Sequence, residues 1–286
     1  MPYILLVVVF ATVSITVPYF FTPTNLVSVL VQTSSLALLA MGQAAVLIVG
    51  GIDLSMPGIM ALGAIFGAMF MRDGGAPWIA PIIMIAVPFL LGSINGFAIS
   101  YFNMIPFVVT LAMQAITGGA AIMITNQISI SGLPKTFTET VMSKVLGIPV
   151  PILMVIFAAI VIQLFLKRSV YGRWLYASGT NIRASLVSGV PTKKVVYFAY
   201  AFSGIMAGLA AIILTSRLAS ASPQMGKDAL VMDIIAAAAV GGVSTMGGVG
   251  TAINAVIGAN SDRAIASKFF LRENDVFGHF ELITCT

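Results

Sequence analysis

The chain has 286 residues, 59% of them hydrophobic and 8% charged, with a mean hydropathy of +1.07 and a net charge of +5 from 14 Lys+Arg against 9 Asp+Glu. Soluble domains carry about 25% charged residues to cover a core, so a water-soluble globular fold is excluded and the chain reads as an integral membrane protein. One cysteine, Cys285, and one histidine, His279, build neither a disulfide framework, a Cys/His metal site nor a His-based triad, so no catalytic residue, metal or cofactor is expected.

A membrane-spanning helix needs about 20 apolar residues, which leaves room for roughly eight to ten spans in one all-α, polytopic transmembrane bundle. In chain order, apolar windows between Pro, Gly and Asn clusters predict spans at 3–17, 28–49, 57–71, 78–100, 107–125, 151–166, 195–216, 229–246 and 250–259. The first window has no Lys or Arg ahead of it, unlike a secretory signal, and is expected to remain as a span. Barrel strands would show short alternating segments of about ten residues, which these windows do not resemble.

Between Lys167 and Lys194 the sequence holds Lys167, Arg168, Arg173, Arg183, Lys193 and Lys194 and no acid. Basic loops stay on the cytoplasmic side, so this connection is expected there and the 126–150 stretch outside. The basic balance is thereby assigned to the anionic inner leaflet and membrane lipids, not to nucleic acid.

The first motif is Gly50-Gly51-Ile52-Asp53-Leu54-Ser55. Its plain reading is a helix break, with Asp53 or Ser55 satisfying free amides of a following helix that has Pro57 in its first turn. Its functional reading is an ionisable residue marking a solute path or a moving joint. Further on, Asn95, Thr110, Gln114 and Asn126 interrupt apolar helices; they could face a path for a polyhydroxylated solute, or form ordinary interhelical hydrogen bonds. Gly118-Gly119 are expected at close-packing positions.

Within 172–194, a short helix from Asn181 is expected to stop at Gly189-Val190-Pro191. Such a helix could lie on the membrane or insert into a partner's groove. The glycine-rich stretch 233–251 lacks the Lys that a phosphate-binding loop needs after its last glycine, since Gly250 is followed by Thr251-Ala252. Helix packing explains these glycines instead, and Asp228 and Asp233 are expected to cap the start of their span.

GGIDLS (50–55), the NG and PFVVTL elements (95–111), GRWLYASGTNIRASLVSGV (172–190) and DIIAAAAVGG followed by GGVGT together resemble the sugar-type permease subunits of bacterial ATP-binding cassette importers, and are similar to the ribose, xylose and galactose importers, over roughly 20–258. The resemblance implies a multi-pass subunit of the bacterial cytoplasmic (inner) membrane that is not an enzyme. It pairs with a second copy or a paralogue, sits on cytoplasmic ATPase subunits and receives sugar from an external binding protein. The coupling element would comprise Gly172, Arg173, Asn181, Ala184, Ser188 and Gly189, and the translocation path Asp53, Ser55, Asn95, Thr110 and Gln114.

The chain departs from the family where Ile182 and Arg183, not acids, follow Asn181, and again after Gly258. Residues 1–259 read as the transmembrane permease domain. Residues 260–286 read as a divergent polar tail, which with seven charged residues is too polar to span and resembles the product of a reading-frame shift. The expectation is a poor or inactive transporter. The alternative function is an ion-coupled secondary carrier, which would normally need ionisable residues deep in spans; Asp53 and Asp233 are expected at span ends, which argues against it. An intramembrane enzyme is the weakest reading.

Overall fold

A computed structural model describes residues 22–262 together with Val7 and Ala11. The expected span at 3–17, apart from those two residues, and almost all of the polar tail lie outside the described residues. The helices are α1 (Pro23–Ile48), α2 (Met56–Arg72), α3 (Ala80–Tyr101), α4 (Pro106–Thr125), α5 (Lys135–Met142), α6 (Val150–Arg168), α7 (Val170–Thr180), α8 (Ile182–Val187), α9 (Thr192–Leu218) and α10 (Asp228–Val240). Residues 252–262 form a further helix, α11. Two-residue strands β1 (Ile130–Ser131), β2 (Lys144–Val145), β3 (Ile148–Pro149) and β4 (Ser220–Ala221) complete the elements, with a 3-10 turn at Pro223–Gly226.

Proline sets many of the starts. Pro23, Pro57, Pro81, Pro106 and Pro151 stand in the first turn of α1, α2, α3, α4 and α6, where a missing N–H costs no helical hydrogen bond. α1, α3, α4, α6 and α9 are long and apolar enough to cross a membrane, and α2 is a shorter apolar helix. The chain is therefore an all-α, multi-pass membrane bundle.

The predicted span at 229–246 is corrected. α10 has 13 residues, about 20 Å at 1.5 Å per residue, against a hydrocarbon core of about 30 Å. It stops at Gly241, and Gly242, at φ +82°, turns the chain back toward α11. The two helices then pack closely through glycine. A Cβ on Gly241 would meet the backbone of Asn254, and one on Gly258 that of Ala237.

α1 and α9 are the most buried of the spanning helices, while α3, α4 and α6 turn large apolar side chains outward. α9 runs against α3 along a shared line of small residues. A Cβ on Gly92 would lie 2.6 Å from the Tyr200 carbonyl oxygen, and one on Gly208 would lie 2.6 Å from the Ile85 Cα. Gly92-x-x-x-Gly96 on α3 and Gly204-x-x-x-Gly208 on α9 thus let the two backbones approach, the device by which membrane helices associate without a hydrophobic driving force.

β1 pairs antiparallel with β4, Ile130 opposite Ala221 and Ser131 opposite Ser220. The 126–150 connection and the chain after α9 therefore meet at one end of the bundle, and α5 packs onto α9. α6 crosses from there, so the basic 167–194 connection lies at the opposite end. There Lys193 Nζ sits 6.0 Å from the centre of the Tyr101 ring at the end of α3.

Candidate functional site: a polar helix break and its link to the basic end

After α1 the chain reverses at Gly50, whose φ of +81° a side chain would strain. Gly50 and Gly51 donate their amides to the carbonyls of Leu47 and Val46, closing the helix with a left-handed glycine cap. The helix break expected at 50–55 is present, but it lies inside the bundle.

Asp53 is 1% exposed. Its Oδ1 accepts from the Ser55 amide at 3.0 Å and the Ser55 hydroxyl at 2.6 Å, and its Oδ2 accepts from the Ser203 hydroxyl of α9 at 2.6 Å. Ser55 Oγ in turn accepts from Asn95 Nδ2 of α3 at 2.8 Å. One residue earlier, the Ile52 carbonyl accepts from Thr110 of α4 and Tyr200 of α9, both at 3.4 Å. Buried polar groups are costly unless hydrogen-bonded, and here the donors come from the break itself and from three surrounding helices. No Lys or Arg is among them. Asp53 lies between the end of α1 and the start of α2, as expected, but buried within the bundle opposite the middle of α9.

Of the five residues proposed for a path, the structure brings Asp53, Ser55, Asn95 and Thr110 together around the break. Gln114 sits beside them as a clamp. Its Oε1 accepts from the Gly58 amide at 2.8 Å, and its Nε2 donates to the Gly226 carbonyl at 2.8 Å and to Asp228 Oδ1 at 3.4 Å. It ties the start of α2 to the start of α10 with both donors engaged. Asn95 Oδ1 and both amide atoms of Gln43 on α1 are buried without a hydrogen-bond partner, so polar capacity is left over near the break.

Other expectations are corrected. Asn126 is the exposed C-cap of α4 in the left-handed region, at φ +50°, away from the cluster. A Cβ on Gly118 or Gly119 would meet nothing within 4 Å, so neither is a packing position among the described residues. Asp228 opens α10 as expected, but Asp233 lies in its second turn, half-buried. Ser203 and Tyr200 were missed, since nothing marks a serine or tyrosine on an apolar helix as facing a distant carboxylate.

At the basic end, α8 runs from its N-cap Asn181, whose Oδ1 accepts from the Ala184 amide at 3.0 Å, to Gly189 at φ +80°, as expected. α7 is an additional helix where a plain loop was expected, capped by Ser169 through the Gly172 amide. Arg173, Asn181, Ala184, Ser188 and Gly189 are exposed. Gly172 is buried, packed on the Leu166 backbone at the corner between α6 and α7, and presents no surface.

The two places are connected. The Gly248 amide, in the turn between α10 and α11, donates to the Ile48 carbonyl at the end of α1 at 2.9 Å. A Cβ on Gly247 would lie 2.6 Å from the Gly179 carbonyl oxygen near the end of α7. Tyr176 of α7 donates its hydroxyl to the Gly250 carbonyl at 2.7 Å; half-burial pushes the phenol above its usual range, which keeps it a donor. A displacement of α7 and α8 thus has a hydrogen-bonded route to Ile48, five residues before Asp53.

Residues 25–261 match the family described as "Branched-chain amino acid transport system / permease component". The chain is 34% identical over 257 residues to the D-allose transport system permease protein of Escherichia coli (strain K12), covering 90% of this chain and 78% of that one. It is 35% identical over 259 residues to the ribose import permease protein of Bacillus subtilis (strain 168), covering 90% and 80%. It is 34% identical over 220 residues to the autoinducer 2 import system permease protein of Photorhabdus temperata, covering 74% and 65%. No solved structure matches the chain.

Proposed function

The chain belongs to this permease-component family, and from that premise we propose that it is the membrane-spanning subunit of an ATP-driven importer carrying a sugar or similar polar solute across the bacterial cytoplasmic membrane. In this reading α7 and α8 face the cytoplasm and dock on ATPase subunits. A second copy or a paralogue completes the pathway, and an external binding protein delivers the solute. The choice of a sugar rests on the relatives named for allose and ribose.

One observation carries the coupling: the contacts from α7 through the 244–250 turn to Ile48 end beside the polar break. Alternating access needs packed helices that rock about a polar region within the membrane. The break, hydrogen-bonded to α3, α4 and α9, is such a joint, and the unpartnered Gln43 amide and Asn95 Oδ1 suit a hydroxylated solute.

A second reading, an ion-coupled carrier, is favoured by the buried Asp53, which has no basic partner among the described residues. Proteoliposomes holding the chain and its ATPase separate the two. Uptake of ribose or allose that requires ATP and survives ionophores supports the importer. Uptake that follows a proton or sodium gradient without ATP overturns it.

A further inference from the structure

An apolar cavity of about 360 Å³ lies among α1, α3, α6, α7 and α9, walled by side chains such as Ile162, Phe165, Tyr171, Phe198, Phe202 and Ile205. Its walls offer a sugar or a water almost nothing to bond, which favours an apolar occupant.

The chain leaves the cavity wall directly into positive charge. Arg168 stands one turn after Phe165 on α6, and Lys194 one turn before Phe198 on α9, so each shares a helix face with a residue of the wall. Both cations are exposed, and the sequence contains no acid between Glu139 and Asp228. Tyr171 stacks edge-on with Trp174 at 5.2 Å and with Phe198 at 5.5 Å. Trp and Tyr gather at the headgroup level of a bilayer, which places the mouth of the cavity there.

We propose that this cavity binds an acyl chain of an anionic phospholipid, whose headgroup is held by Arg168 and Lys194. An apolar slot with two exposed cations at its rim is complementary to a lipid that joins a hydrocarbon chain to a negative phosphate headgroup. A zwitterionic lipid would fill the slot but leave the rim unneutralised. The proposal requires that the chain sit in a bilayer, and does not depend on which solute it carries.

The molecule contains its own reporter. The chain has two tryptophans, and Trp78 is 75% exposed between α2 and α3, so Trp78→Phe leaves Trp174 alone beside Tyr171. The full chain carrying this change would be titrated in detergent with phosphatidylglycerol or phosphatidylcholine brominated on the acyl chains. The expected result is quenching of Trp174 at several-fold lower phosphatidylglycerol than phosphatidylcholine. Arg168→Gln and Lys194→Gln should each raise the phosphatidylglycerol midpoint roughly fivefold and leave that for phosphatidylcholine unchanged. Ala201→Leu, which fills the slot, should weaken quenching by both lipids; the two charge changes lie on exposed positions and test the proposal even if that variant does not fold. Equal midpoints for the two lipids, or charge variants that leave the preference intact, would show unspecific contact with the surrounding bilayer and overturn the site.

Discussion

Ser203, near the middle of α9, donates a 2.6 Å hydrogen bond to Asp53, which lies 150 residues earlier in the chain. The contact fastens the non-helical segment after α1 to the longest helix of the bundle. It also supplies the one donor to Asp53 Oδ2, since both bonds from Ser55 go to Oδ1.

Ser203→Ala should therefore destabilise the fold by about 1–3 kcal/mol, the cost of leaving a buried polar group short of a partner. Asp53→Asn in the same background should cost less than it does alone, because directly interacting residues are not additive. Thermal unfolding of the detergent-solubilised variants measures both. Simple additivity of the two changes would show that the hydrogen bond contributes nothing.

The placement of the ends is open to a direct check. Val187 is 91% exposed in α8, and Leu146 is 97% exposed in the β2–β3 hairpin, at opposite ends of the bundle. With Cys285→Ser as background, Val187→Cys should react with an impermeant thiol reagent only from the cytoplasmic side, and Leu146→Cys only from outside. Labelling of Val187→Cys from outside would invert the assigned topology.

Much of the bundle was legible because membrane burial demands long uncharged runs, and each such run from Pro23 to Leu218 became a helix. Gly50-Gly51 and Asn181…Gly189 were legible too, since breaks and caps depend on a few adjacent residues. What joins them was not. Asn95 to Ser55, Gln114 to Gly58 and Ser203 to Asp53 span 40, 56 and 150 residues, and a polar residue on an apolar helix gives no sign of which distant partner it faces. α7 was obscured because Arg173, Ser178 and Thr180 give 170–180 the composition of a polar connection.

The stop of α8 tests the coupling role. Gly189 is at φ +80° with open space around it, so a larger side chain meets no neighbour and the penalty is backbone strain of about 1–2 kcal/mol. Gly189→Arg should leave the spans inserted while abolishing ATP-dependent uptake, because the turn that presents α8 is displaced. Gly189→Asn, which tolerates the left-handed region, should retain most uptake. Normal uptake by the Arg variant would remove this turn from the mechanism.

The last prediction contrasts two glycines in helices. A glycine inside a helix costs about 0.5–1 kcal/mol relative to alanine, so Gly→Ala stabilises wherever the methyl group has room. At Gly204 it has none: a Cβ would press on the backbone of Pro88 and lie 3.0 Å from the Cα of Phe89. Backbone atoms cannot turn aside as a flexible side chain can, and Gly204→Ala should cost about 1–3 kcal/mol through separation of α3 and α9. At Gly118 the space is empty to 4 Å, and Gly118→Ala should raise the unfolding temperature of the isolated chain. Loss of stability at Gly118 only when the protein is assembled would mean that another surface, such as a second copy, closes over this face of α4. Loss of stability at both positions in the isolated chain would contradict the open face on α4.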